Sequence, residues 1–311
     1  MQFENGRIEA VHAALTVDGS FEPVHDAEAQ LFADHDLASL VENRFGAIID
    51  PTHLDESSRR DWIERATYGG EGLGPLRSSY ECHYWLRRDG DRVGTLALAT
   101  SHAGGTSLRL SSLYVRPDAR GAHIGRRAVH ATYSAIVAAG LRGLRLETEW
   151  CWPRAVAFYL EIPMWLRMWK RDLELVLRTD LPDYRVEIDG DDARFIVNEG
   201  AGEAVVIEAR RREGLLDWRE RYEVLCDRAQ SEVPFMAPGT FALALARRGW
   251  PLFTSEARRD GQLTAWGGDF GGPDDLAVKI RQYEAWTRHR GWRVATPGIP
   301  GVVYREWGAE E

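Results

Sequence analysis

Apolar positions along the 311-residue chain switch between two periods, and each switch marks an element. Residues 6–18 read as a short first strand. Helical spacing follows over about 25–44 and 55–67, the second opened by Asp55 or Ser57 as cap with Glu56 in its first turn. "ECHYWLRRDGDRVGTLALAT" alternates as two strands around Arg88-Asp89-Gly90-Asp91, a hairpin. "SLRLSSLYVRP" is a further strand, ended by Pro117. From Ile124 the spacing becomes helical through Ala128, Val129, Thr132, Ile136 and Val137, and it stops near Gly140. "RGLRLETEW" returns to strand, "PRAVAFYLE" opens a helix with proline at a favourable first position, and "MWLRMWKRDLELVLR" is strand again. The predicted order is β-α-α-β-β-β-α-β-α-β.

"TDLPDY", Thr179 to Tyr184, reads as a linker. Beyond it lie strands over "YRVEIDGDDARFIVNE" and "EAVVIEAR", then helices near 214–230, 239–247 and 273–289. The length suits two domains, so we expect residues 1–180 to form one and residues 181–311 a second, smaller α+β domain of unknown role.

Composition narrows the function. A hydrophobic share of 44% and a charged share of 28% are those of a globular protein. A formal charge of −9 argues against nucleic acid as a partner. No apolar run approaches the ~20 residues that span a bilayer, and the start, "MQFENGRIEA", lacks the basic and apolar regions of a signal peptide. No membrane association is therefore expected. Cys82, Cys151 and Cys226 are widely spaced without a CxxC, which fits a cytoplasmic protein and neither a disulfide framework nor a zinc site. The nine histidines show neither HxH nor HExxH spacing, so no metal is inferred. His25 and His35 flank helical sequence and read as structural or solvated, and Cys226 lies on the apolar stripe of Leu215, Trp218, Tyr222 and Leu225. Tyr68–Pro75 is glycine-rich but lacks the Gly-Lys-Ser/Thr ending of a phosphate-cradling loop, so it reads as a connection or lid. "GGDFGGPDD", Gly267 to Asp275, is an acidic loop ahead of a helix capped by Asp274.

The chemistry concentrates in "LYVRPDARGAHIGRR", Leu113 to Arg127. A strand that turns directly into a helix leaves the first helical N–H groups without partners, and with the helix dipole they favour an anion such as phosphate. Gly121, Ala122 and Gly125 let a ligand approach the backbone, while Arg120, Arg126 and Arg127 add positive charge at the same end. The plain alternative is a turn before an amphipathic helix.

Leu113-Tyr114-Val115-Arg116-Pro117-x-x-Arg120-Gly121-x-x-Ile124-Gly125-Arg126 closely resembles the acyl-CoA-binding segment of the GNAT superfamily of N-acyltransferases. That family's Arg/Gln-x-x-Gly-x-Gly/Ala core falls on Arg120, His123 and Gly125, and the element order of residues 1–180 is similar too. The resemblance implies a mixed, largely antiparallel central sheet flanked by helices. It implies that main-chain amides from Gly121 to Arg126 hold the pyrophosphate of coenzyme A. Leu113, Tyr114 and Val115 would pair with the pantetheine arm where their strand splays from the one carrying Glu147, and the Val115 N–H would lie near the thioester carbonyl. His123 stands where the family carries glycine. Its imidazole donates to a phosphate, points to solvent, or blocks the loop.

In "LRLETEW" the pleat sets Arg145, Glu147 and Glu149 on one face and Leu144, Leu146 and Thr148 on the other. Glu147 precedes Tyr159 by twelve residues, a spacing that resembles the base and acid of some GNAT enzymes. On that resemblance Glu147 takes the ammonium proton and Tyr159 protonates the departing thiolate. Read as residues alone, Glu147 is equally a surface partner for arginine and Tyr159 a packed aromatic. Glu81 and Glu149 are reserve bases. The family's second segment is altered, with Trp152 in place of asparagine and Pro163 in place of glycine. Trp150, Trp152, Trp165 and Trp169 line an acceptor pocket or belong to the core.

The resemblance thus implies an N-acetyltransferase that moves an acetyl group from acetyl-CoA to a primary amine of a small molecule or peptide. The alternative is a non-catalytic acyl-CoA-binding protein with a degenerate domain. A homodimer stays open.

Overall fold

The computed structural model describes residues 2–45, 47–66, 82–100, 106–149, 161–169, 172–198, 202–212 and 215–220, with 155, 158–159, 236–237, 240–241 and 244–245. The Tyr68–Pro75 loop, Glu81, Trp150, Cys151, Trp152, Cys226, the Gly267–Asp275 loop and the helix read at 273–289 lie outside them. The chain divides into two compact units, Met1–Leu146 and Glu147–Glu311. The linker read at 179–184 therefore falls inside the second unit.

The first unit begins with a helix, α1 (Gln2–Thr16), where the sequence pattern suggested a strand. Ile8, Val11 and Leu15 are three and four residues apart, so a helix gathers them on one side, and Val11 and Leu15 are buried there. The first strand comes later and is short: β1 (Phe21–Pro23) pairs antiparallel with β2, from Phe21↔Leu86 to Pro23↔Tyr84. Helices α2 (Ala29–Phe45) and α3 (Glu56–Ala66) follow close to the expected positions. Asp55 is the cap of α3, its carboxylate accepting the Ser58 N–H at 2.7 Å.

β2 (Cys82–Arg88) and β3 (Asp91–Thr100) form the expected hairpin. Asp89 (φ 53°) and Gly90 (φ 91°) both take the left-handed conformation that a two-residue hairpin turn needs. β4 (Ser107–Val115) runs antiparallel to β3, and β5 (Gly143–Glu149) runs parallel to β4 after the crossover helix α4 (Ile124–Ala138). Strands β1 to β5 lie in that order within a mixed, largely antiparallel sheet, as expected, with helices beside it. Phe32 of α2 packs on Trp85 and Ala97, and Val129 and Ile136 of α4 are fully buried.

In the second unit, β6 (Trp165–Trp169) and β7 (Asp172–Arg178) form an antiparallel hairpin where the pattern suggested one strand. β8 (Asp183–Asp189), β9 (Asp192–Asn198), β10 (Glu203–Arg212) and β11 (Leu215–Glu220) make a four-stranded antiparallel sheet in the order β11-β10-β9-β8. β11 replaces the start of the helix read at 214–230. Six residues span fewer than two helical turns, too few for the apolar period to decide, and the ladder from Arg212↔Leu215 to Ile207↔Glu220 decides it instead. Thr240, Phe241, Ala244 and Leu245 are helical, as expected for 239–247. Phe195, Trp165, Tyr184 and Phe241 pack edge to face or tilted, with centroids 5.1–5.6 Å apart. The Trp165 indole donates to Pro182 O and the Tyr184 hydroxyl to Met164 O, both at 3.0 Å, so these packed aromatics keep partners for their polar ends. No helix among the described residues is long and apolar enough to cross a membrane.

Candidate functional site

The site begins at the end of a ladder. β4 pairs with β5 from Ser107↔Gly143 to Leu110↔Leu146, and among the described residues the pairing stops there. β4 continues alone against β3 as far as Val115↔Gly94. The Arg116 N–H donates to Val93 O at 2.9 Å, so Arg116 faces β3. Neighbours in a pleat alternate, and Val115 therefore turns its N–H and C=O to the other edge, past the end of the β5 ladder. Gly94 makes the approach of β3 possible. A Cβ at that position would lie 2.2 Å from the Tyr114 carbonyl oxygen.

Beyond Val115 the chain makes a single 3-10 turn, Pro117–Ala119, then passes through two left-handed residues, Gly121 (φ 83°) and His123 (φ 57°, ψ 21°), before α4 begins. His123 holds the cap position without a side-chain cap bond. Arg127 is the residue whose N–H meets the His123 carbonyl, at 3.0 Å, so the amides of Ile124, Gly125 and Arg126 form the open first turn. Gly121, His123, Arg126 and Arg127 are exposed, Ala122 is half-buried, and Ile124 and Gly125 are buried. Amides in a concave turn, with a helix dipole behind them and exposed cations beside them, suit an anion. The His123 ring is exposed.

Arg120 is disposed differently from Arg126 and Arg127. Its guanidinium is turned inward, forming two 2.6 Å bonds to the carboxylate oxygens of Glu42 on α2 and a 2.8 Å bond from Nε to Val115 O. It also lies over the Tyr114 ring at 5.7 Å. Arg116 pairs with Asp118 at 2.6 Å. Glu42 is a residue that sequence reasoning missed. Its signal was a carboxylate on the buried side of α2, among Leu37, Ala38 and Val41, a position that requires a cation partner.

Leu113 is half-buried and Tyr114 buried. Burial raises the Tyr114 phenol above its ordinary range, and His35 packs edge-on against it and against Trp85. His35 is itself buried, 2.8 Å from Leu31 O through Nδ1, and burial lowers its pKa, so it is a structural neutral histidine.

β5 keeps the predicted alternation: Leu144, Leu146 and Thr148 are buried, Arg145 is half-buried and Glu147 exposed. Glu147 opens the second unit, and Tyr159 also belongs to it, whereas the loop and β4 belong to the first. Tyr159 is helical and buried, edge-on to Phe158 at 5.0 Å, and burial pushes its phenol well above the ordinary 10.0. Trp165 is a core residue.

Residues 79–162 match the family model described as acetyltransferase (GNAT) domain. The match runs from just before β2 through the loop and α4 to Glu147 and Tyr159. No curated protein matches the chain. Among solved structures it is similar to the PaiA N-acetyltransferase of Thermoplasma acidophilum in complex with coenzyme A, at 13% identity over 51% of this chain and 97% of that one, TM-score 0.38. It is similar to an acetyltransferase from Thermus thermophilus, at 20% identity over 51% and 95%, TM-score 0.36. The GNAT domain of S. lividans PAT aligns at 13% identity over 51% and 89%, TM-score 0.35.

Proposed function

We propose, from the premise that this chain is a GNAT-type acyltransferase through its domain at residues 79–162, that it transfers an acetyl group from acetyl-CoA to a primary amine of a small molecule or peptide. The observation that carries the reading is the continuity of an open strand edge with an open helix start. Val115 presents main-chain groups past the β5 ladder, and within a few residues the amides of Ile124, Gly125 and Arg126 stand ready for an anion. An extended arm ending in a diphosphate is the ligand chemistry that uses both.

In the proposed reaction the amine nitrogen attacks the thioester carbonyl carbon. A lysine-like amine of pKa about 10.4 is mostly ammonium at pH 7, and deprotonating it costs about 4.6 kcal/mol. Glu147, exposed on β5, takes that proton. The Val115 N–H stabilises the oxyanion as the C=O bond opens. The intermediate then collapses: the C–S bond breaks and coenzyme A leaves as thiolate, with Tyr159 as its proton or hydrogen-bond donor. The extra proton on the attacking nitrogen passes to the thiolate or back to Tyr159, leaving a neutral amide. Leu113, Tyr114 and the Gly121–Arg126 segment, His123 included, would bind the cofactor. A reducing compartment suits the three scattered cysteines.

The test is a screen of amine acceptors with acetyl-CoA, following free thiol. A turning-over acceptor is expected, and Glu147→Gln should lower kcat by about a hundredfold or more while leaving acetyl-CoA affinity unchanged. Wild-type turnover in the Gln variant would remove Glu147 from the mechanism.

A further inference from the structure

We infer that Glu42 is a positioning residue for the cofactor strand, acting through Arg120 on the Val115 main chain; the inference rests on the acyl-CoA reading given above. Glu42 lies on α2, and Arg120 in the loop 78 residues later. The Glu42 side chain is 6% exposed and the Arg120 side chain 26%. Both terminal nitrogens of Arg120 are committed to Glu42, its Nε holds Val115 O, and its flat face lies over Tyr114. One planar fork thus ties α2, β4 and the loop together, a geometry that lysine cannot reproduce.

The tie has a directional consequence. Val115 O sits on the edge where the β5 ladder has already ended, so strand pairing does not hold it there. Arg120 holds it instead, and with it the orientation of the Val115 N–H on that same edge. Without Glu42, Arg120 would be a half-exposed cation a few residues from the anion-binding amides.

That contrast fixes the sign of the experiment. If Arg120 were a phosphate ligand, neutralising Glu42 would release a cation toward the diphosphate, remove a nearby negative charge and tighten binding. If Arg120 positions the strand, the same change weakens binding.

Glu42→Gln and Arg120→Lys, each prepared as the full chain, are titrated calorimetrically with acetyl-CoA. Both are expected to bind about tenfold more weakly than wild type, the scale of one charge-assisted hydrogen bond. A merely stabilising pair would lower the melting temperature and leave the Kd of the folded protein unmoved. Wild-type or tighter binding by Glu42→Gln overturns the inference. Should the wild-type protein itself give no heat with acetyl-CoA, the acyl-CoA reading fails separately, and amide hydrogen exchange decides this one. Glu42→Gln must then accelerate exchange within residues 113–126, and unchanged exchange there overturns the positioning role.

Discussion

Tyr159 keeps its phenolic proton more tightly than a free tyrosine because burial disfavours the phenolate. Even an unshifted phenol, at about 10, gives its proton to a thiolate whose conjugate thiol has a pKa of about 8.5 only uphill, by about 2 kcal/mol. A raised pKa makes that transfer harder and makes Tyr159 a permanent donor. Its contribution would then be a hydrogen bond to the leaving sulfur. Tyr159→Phe is expected to lower kcat by about tenfold without changing the acetyl-CoA KM. Because the folded phenol titrates above 10.0, the pH–rate profile below that pH should have the same basic limb in both proteins. A limb present in wild type and lost in the Phe variant would show that the phenol does titrate in the working range. His123 and Arg120 show what a residue pattern conceals. The sequence marked His123 as crowding a glycine position. Its left-handed φ of 57° shows how the loop accepts a Cβ there, at a cost of about 1–2 kcal/mol. Arg120, Arg126 and Arg127 are alike as letters, and only a buried carboxylate on a distant helix turns the first of them inward.

At the level of elements the site depends on the closeness of β3 and β4. Gly94 faces Val115 across the ladder, and an added methyl would meet the Tyr114 carbonyl at 2.2 Å, a backbone atom that cannot rotate away. Gly94→Ala should therefore destabilise the fold by about 2–3 kcal/mol, the range of overpacking in a tight core. The same substitution should weaken acetyl-CoA binding, since relief requires Tyr114 and Val115 to move. Thermal melts and calorimetry check both, and a variant as stable as wild type would mean that β3 and β4 can separate freely. Elements were legible where pattern and punctuation agreed. The β2–β3 hairpin carries alternation and an Asp-Gly turn, and α4 has a long apolar period bounded by glycines. α1 was misread because Ile8, Val11 and Leu15 leave polar gaps that a short window does not resolve. β6 and β7 were read as one strand because the pattern carries no glycine or proline between them. β11 needed its partner β10 to distinguish strand from helix.

Across the whole molecule, the cofactor loop was legible because it is local: strand end, proline, glycines, arginines and helix start fall within fifteen residues. Glu42 was not, because its meaning lies in a residue 78 positions away. The residues proposed to bind acyl-CoA lie in Met1–Leu146, and those proposed to handle protons, Glu147 and Tyr159, in Glu147–Glu311. Each unit also encloses its own large buried side chains, Phe32, Tyr84 and Trp85 in the first, Phe195 and Phe241 in the second. Compact units, each with its own buried side chains, favour separate unfolding steps, so scanning calorimetry should resolve two transitions. A ligand stabilises only the state that binds it, by about 2.7 kcal/mol when its concentration is a hundredfold above Kd. Acetyl-CoA at that excess should move one transition upward and leave the other in place. Glu42→Gln should reduce the movement at the same acetyl-CoA concentration, while Glu147→Gln should preserve it. A single transition, or two that rise together, would mean that the units melt as one body and that binding in the first is felt throughout the chain.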